Sequence, residues 1–472
     1  MSARAFELLV DAGENALRRG DADSADRLFT QALDLGLEDR RGVALFGRGR
    51  GLIAASRLVE ADAALREAQQ LADAAGDRPL LGEALSWRSR TSWLLGNWAD
   101  ALRTAESAVE VLGGLGETRE YARALARRSQ IAMLRDTDDA IDLSREALSV
   151  AQRVGDGPAE VNARVNLYTA LSNLGTAAAA DEMRACVALA IEVGAPDEAY
   201  RALVNWLWQA HTHTPLPEVM EETRRALVTL DGVPAIETFE LYVALSIARL
   251  LALPLGDWNL VDETLARPPR PAASTSLVRR DLEAGMAVRR GDLAAADEVL
   301  PAFRRDALAS GEPQRIAPML AVAFARAAVA GDLAELRDLT DILLDFGPRV
   351  WVPTFASPTI PRALAVADEE LLRRIARELE ALPPERRRWR AAVAAEVASA
   401  HVALADGDDE EAVVRLEAVV RGELDLARPY DAACVELDLA RALDAAGRSS
   451  DGDAVRARAR AYLERLGCVN PY

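Results

Sequence analysis

Lysine is missing from this chain of 472 residues: all 56 of its basic residues are arginine. That removes a phosphate-loop lysine and any Schiff-base lysine. A GC-rich coding bias produces the same absence, so it is not in itself functional evidence. Histidine is almost as scarce, at three, which leaves little material for acid–base catalysis, and no Ser-His-Asp or Cys-His arrangement is legible. The cysteines Cys186, Cys434 and Cys468 are too widely spaced for a CxxC metal or redox pair. A sparse, odd number suits a reducing cytoplasm. Positive charge is in deficit, with a formal net charge of −19. The global field repels phosphate, so direct nucleic-acid binding is not expected. No apolar run reaches the roughly 18 residues of a membrane span. The longest, Leu241 to Leu255, is interrupted by Ser246, Arg249 and Pro254. Met1 to Gly20 carries Glu7, Asp11 and Glu14 within its apolar pattern, which predicts an amphipathic helix and not a secretory signal.

What is abundant is alanine, leucine and valine. Half of the residues are apolar but only 5% are aromatic. Alanine and leucine form helices readily, and no sustained polar/apolar alternation argues for strands. A Gly-Asp or Gly-Asn step recurs at Gly20, Gly96, Gly256, Gly291, Gly331 and Gly407, with Gly175 and Gly447 in the same series. The spacing is about 35 to 40 residues or near a multiple of it. Glycine ends one helix in a left-handed conformation, and Asp or Asn caps the next. Small residues fall at fixed offsets around these turns: Gly13, Ala25 and Ala32; Gly49, Ala61 and Ala68; Ser89, Ala101 and Ala108, with steps of 12 and 7 each time. Ala140 and Ala147 keep the second step. Backbones that cross closely need small residues where they touch.

This pattern resembles the tetratricopeptide repeat family, in which a small residue on the first helix is followed by two alanines on the second. The likeness weakens between Gly175 and Leu265 and returns at Ala284, Gly291 and Ala296 and again at Ala400, Gly407 and Ala412. The period is nearer 36–40 residues than the family's 34, and the terminal Trp-Leu-Gly-Tyr signature is absent. The stretch from Arg428 to Gly467 is similar to the last helix pair in the helical-repeat tails of bacterial LuxR-type and cyclase-associated ATPase regulators. The resemblance implies an all-α, right-handed superhelical solenoid of about twelve antiparallel helix pairs.

Prolines mark the breaks. Pro268, Pro269 and Pro271 lie in a short polar run where a helix cannot continue. One reading divides the chain into a 1–267 array, a 268–276 hinge and a 277–472 array; the other is a long loop inside one solenoid. Gly347 to Pro361 is a second irregular stretch, with prolines at 348, 353, 358 and 361. Pro383-Pro384-Glu385 reads as a helix start.

Several constellations have ordinary readings. His211 and His213 do not share a helix face, so they read as a helix end before Pro215 and not as metal ligands. His401, among alanines, reads as a packed histidine. Asp406 to Glu411 lacks calcium-loop spacing and reads as a turn with acids at a helix start. Gly47 to Gly51 has no preceding strand and belongs inside a helix. Trp206 and Trp208 cannot both face one core, so one of them is expected at a groove.

In the family, the first helix of each pair lines a concave face that grips peptides or helices. The positions one and four after the small residue give Arg50 and Ile53, then Arg90 and Trp93. The next units offer Gln130 and Met133, then Thr169 and Ser172, with Asn166, Asn205 and Trp208 beside them. Arginines fork carboxylates and amides hold an extended backbone. The expectation is a non-catalytic, cytoplasmic, protein- or peptide-binding scaffold in a bacterial regulatory or assembly complex, with no cofactor, metal, nucleic acid or membrane. The alternative is a sensor arm of a larger signalling ATPase or transcription regulator. An enzyme on a helical scaffold, using acids such as Asp257 or Asp332, ranks last because those acids already have capping positions.

Overall fold

The structure is a computed structural model that describes residues 2–176, 178–232, 237–269, 272–351, 356–387 and 389–472. Arg270, Pro271 and Pro353, each part of a proline-rich break, lie outside the described residues. Every regular element among the described residues is helical. Six antiparallel pairs open the chain: α1 (Ser2–Arg18) with α2 (Ala22–Asp34), α3 (Arg41–Ala54) with α4 (Leu58–Ala75), α5 (Arg78–Leu95) with α6 (Trp98–Gly113), α7 (Arg119–Leu134) with α8 (Ala140–Val154), α9 (Gly157–Asn173) with α10 (Ala178–Glu192) and α11 (Pro196–Ala210) with α12 (Leu216–Leu230). The seventh joins α13 (Glu237–Ile247), its π-helical continuation Ala248–Ala252 and α14 (Leu253–Leu255) to α15 (Trp258–Leu265). Five more follow: α16 (Ala273–Arg290) with α17 (Leu293–Ser310), α18 (Pro313–Ala330) with α19 (Leu333–Phe346), α20 (Thr359–Ala365) with α21 (Glu369–Ala381), α22 (Trp389–Asp406) with α23 (Asp409–Asp425) and α24 (Pro429–Ala445) with α25 (Ser449–Arg465). This is the all-α solenoid of a tetratricopeptide-like helical repeat.

The repeat signals act as their chemistry requires. Gly20, Gly96, Gly256, Gly291, Gly331 and Gly407 have φ between 68° and 83°, where a Cβ is strained. Asp21, Asp257, Asp292 and Asp332 accept from the backbone N–H three residues on, at 3.0, 3.2, 3.0 and 3.0 Å. Asn97 and Asp408 occupy the same N-cap position without a side-chain bond. A Cβ on Gly49 would come within 2.6 Å of Leu65 Cγ, and one on Gly13 within 2.8 Å of the Phe29 ring. Those contacts are the reason for small residues at the offsets. They also place Gly47 to Gly51 inside α3, packed against neighbouring helices.

The solenoid winds back onto itself. Trp93 Nε1 donates to Glu312 Oε1 at 2.8 Å, the Arg428 guanidinium to the His211 carbonyl at 3.1 Å, and Tyr462 to the Leu255 carbonyl at 3.3 Å. Arg386 pairs with Asp136 at 2.7 Å. These partners are 207 to 250 residues apart. Apolar cores cross the same seams: Trp98 shares one with Leu277, Ile316 and Phe324, and Trp258 shares another with Tyr430 and Leu463. Just past the proline run, Ala272 packs in a core with Leu94.

Two local expectations are corrected. Pro383-Pro384-Glu385 does not start a helix. It forms a turn closed by Arg386 N to Pro383 O at 2.8 Å, and α22 begins at Trp389. The ion pair from Arg386 to Asp136 on the preceding superhelical turn holds it there. Trp206 and Trp208 are both buried, at 6% and 4% exposure. α11 packs against α9, α10, α12 and α13, which enclose both rings.

Candidate functional site

Inside the first superhelical turn, the first helices of successive pairs enclose a cavity of about 380 Å³ between Leu17 and Glu198. A smaller pocket, sharing Arg90, Arg127, Asp197 and Glu198 with it, runs on to Phe239, Tyr242 and Gln314. The two form one channel along the concave side. Arg50, Ile53 and Arg90 line the larger part, and Arg90, Trp93, Gln130, Met133 and Asn205 line the smaller.

Four of the expected contact residues lie elsewhere. Asn166 has no exposed surface. Its amide donates to the Ala126 carbonyl at 2.9 Å, Ser129 Oγ at 2.8 Å and Asn162 Oδ1 at 3.0 Å, and its carbonyl accepts from Arg201. Asn166 therefore ties α7 to α9 behind the wall. Trp208 lies deep in the core under the Arg249 guanidinium, 4.8 Å from its ring, with His211 edge-on at 6.3 Å. Thr169 and Ser172 are also buried, the first bonded to the Val165 carbonyl and the second to Gln209.

Most of the wall's charge is compensated. Arg50 pairs with Glu14 at 2.7 Å and Arg90 with Asp197. Both guanidiniums lie over the Trp87 ring, at 5.3 and 5.5 Å. Arg201 pairs with Glu198 at 2.8 Å. Burial would raise the Glu198 carboxyl, but Arg201 and Arg127 hold it below its usual range.

Arg127 differs. Among the described residues it has no carboxylate within ion-pair distance, and its guanidinium is hydrogen-bonded to Gln130. Burial, followed by repulsion from Arg90, pushes it down to about 9, so it is still charged at neutral pH. Sequence reasoning missed Trp87 and Arg127. Both lie two residues before the small positions Ser89 and Ser129. That places them one helical turn before Arg90 and Gln130 on the same face, so extending the concave face back by one turn would have found them.

No family model matches the chain, and no curated protein matches it. Among solved structures, a Rap protein complexed with competence and sporulation factor is similar at 14% identity and a TM-score of 0.47, over 66% of this chain and 98% of that one. A circular tandem repeat protein with a novel repeat topology aligns at 18% identity and a TM-score of 0.14, over 98% and 94%. At these scores neither bears on function.

The His211–His213 segment is a turn after α11, with His211 Nδ1 3.2 Å from the Leu207 carbonyl. No group of residues among those described has the geometry of a metal site. No described helix is long and apolar enough to cross a membrane.

Proposed function

We propose that the chain is a non-catalytic binding scaffold whose concave channel receives an extended peptide carrying an acidic group. The observation that carries this reading is Arg127, a half-buried guanidinium with no carboxylate at ion-pair distance among the described residues, lining a cavity of about 380 Å³. Glu198 and Asp197 act on it only at a distance, and a partly buried cation without a direct ion pair favours a ligand that supplies one. Around it, Gln130 and Asn205 offer amides to a peptide backbone, and Trp87 offers an apolar wall. The net charge of −19 works against acidic ligands at long range, so the attraction is local to the channel.

The test is fluorescence polarisation with a library of labelled decapeptides, acidic against neutral and free against amidated at the C-terminus. Binding confined to peptides with a carboxylate, and lost in Arg127→Gln, supports the reading; equal binding of neutral peptides overturns it.

The context proposed for this activity is a cytoplasmic regulatory or assembly complex. Asp257 and Asp332, the acids an enzyme would draw on, cap helices at 3.2 and 3.0 Å, which supports binding over catalysis. A broad hydrolase and transferase screen tests that point. The likeness of Arg428 to Gly467 to regulator tails supports a second reading, a sensor arm of a larger signalling protein, which a nucleotide- or DNA-binding module encoded in the same gene would establish.

A further inference from the structure

A second cavity, of about 150 Å³, lies where the C-terminal half packs back against His211 and the Arg249–Leu253 segment. Five arginines distant in sequence reach its wall: Arg249, Arg289, Arg362, Arg390 and Arg428. In a chain of net charge −19, composition does not account for five cations around one small space. Arg362, Arg390 and Arg428 are each only 6% exposed, and buried charges require partners.

Four carboxylates provide them. Arg249 pairs with Asp281, Arg362 with Asp438 at 2.5 Å, Arg390 with Glu423, and Arg428 with Glu423 at 3.0 Å and Asp431 at 2.7 Å. Arg289 is the fifth cation. Among the described residues it makes no ion pair; its Nε donates to Tyr430 Oη at 2.9 Å. Tyr430 Oη in turn donates to the Tyr472 carbonyl at 2.9 Å, which fixes the orientation of the hydroxyl. A Cβ on Gly285, also in the wall, would come within 2.7 Å of Arg289 Nη1. Glycine there clears the space the guanidinium occupies.

The cage is closed on one side by the last residues. Val469 and Asn470 donate their N–H groups to the Arg289 carbonyl at 2.7 and 3.0 Å, and the Tyr472 ring lies 5.7 Å from the Arg362 guanidinium. On another side His211 is held in its neutral form, first by burial and then by Arg428, Arg249 and Arg390. Among the described residues, Arg289 is thus the guanidinium of this wall without an ion pair, and its two terminal nitrogens are not used by Tyr430.

We propose that this cage is a second ligand site, which takes one oxyanion group, the carboxylate or phosphate of a small molecule, forked by Arg289. A guanidinium presents two parallel N–H donors that match the oxygens of either group. The volume admits that group and a few further atoms, so a peptide chain does not fit, and the site is independent of the channel around Arg127.

The experiment uses the full chain in thermal-shift and calorimetric titrations with inorganic phosphate, acetate and succinate, each against sodium chloride at equal ionic strength. A saturable response to phosphate assigns a phosphorylated ligand, and one to the carboxylates assigns a carboxylic acid. In Arg289→Gln the affinity is expected to fall about tenfold or more, while Arg290→Gln, which removes the same charge from the exposed neighbour, leaves it unchanged. Should Arg289→Gln fail to fold, the wild-type protein decides: with only three histidines, the His211 ring resonance can be followed by NMR. It should move saturably at the calorimetric midpoint. No response beyond that to chloride, an undiminished response in folded Arg289→Gln, or a His211 resonance that stays fixed while the anion binds overturns the site.

Discussion

Ser89 donates its hydroxyl to the Ala101 carbonyl at 2.7 Å, across the gap between α5 and α6. The two residues are the small pair twelve apart that marks the repeat, and the bond exists because neither has a side chain long enough to hold the helices apart. Ala61 and Ala101 are 0% and 1% exposed. Ala61→Leu or Ala101→Leu is expected to destabilise the fold by about 1–3 kcal/mol through overpacking. Ala22→Leu, at the partly exposed start of α2, should cost far less. Urea midpoints of the three variants check this, and equal losses would contradict the assignment of helix faces.

The contact between superhelical turns at Trp93 is open to a similar test. Trp93→Phe keeps most of the ring but removes the Nε1 donor to Glu312. Glu312 is 2% exposed and retains Arg315 as a partner, so the expected cost is about 1–2 kcal/mol. Hydrogen exchange should show faster opening in both α5 and the start of α18; an effect confined to α5 would mean that the turns open independently.

Within the channel, Arg50→Ala, Arg90→Ala and Trp93→Ala together should weaken binding of a partner found by pull-down by ~2 kcal/mol or more. Each change also removes an internal partner, Glu14, Asp197 or Glu312, so the triple variant must first be shown to fold by circular dichroism. Arg127→Gln removes no ion pair among the described residues. Its folded-state value lies below the ordinary arginine value, so its charge opposes folding at neutral pH, and the variant should be at least as stable as the parent. Unchanged affinity in both folded variants would move the site out of the channel.

The proposed boundary at residues 268–276 runs into the first turn of α16, so first cleavage in limited native proteolysis is expected on its proline side, between Arg267 and Ala272, because few backbone hydrogen bonds protect a proline-rich run. Two stable fragments would support two arrays. First cuts inside the helix pairs would favour one continuous solenoid.

Asp438 supplies a test by pH. Burial acts to raise its carboxyl, but Arg362 and His401 hold it far below the usual carboxylate range. With the folded value depressed, its contribution to stability is present above the unfolded value of about 3.9 and is lost as pH falls. Asp438→Asn should therefore cost about 3–5 kcal/mol at pH 7, since it leaves Arg362 buried without its counter-charge. The gap to wild type should narrow below about pH 4. A gap that stays constant in urea midpoints from pH 7 to pH 3.5 would show that the carboxylate charge is not what stabilises Arg362.

The sequence by itself determined the repeat. Helix ends, caps and small crossing points depend on neighbours within about forty residues, and Gly20 with Asp21 or Ser89 with Ala101 carries that information locally. Read through the family resemblance, it also placed Arg50, Ile53, Arg90, Trp93, Gln130 and Asn205 along the channel, while Thr169 and Ser172, at the equivalent positions of α9, are buried. Only the tertiary structure decided what each of those side chains meets. Asn166 and Trp208 follow the same helical pattern, yet both are enclosed because α9 and α11 have neighbours on more than one side. The irregular middle of the array hid that from a pattern built on single pairs. The second superhelical turn was equally out of reach: Trp93 meets Glu312 and Arg386 meets Asp136 across more than two hundred residues. The pitch that joins them is the sum of small rotations at every helix pair, and no local signal carries that sum. The arginine cage depends on the same winding, since Arg249 and Arg428 share a cavity wall only after the chain has come round on itself.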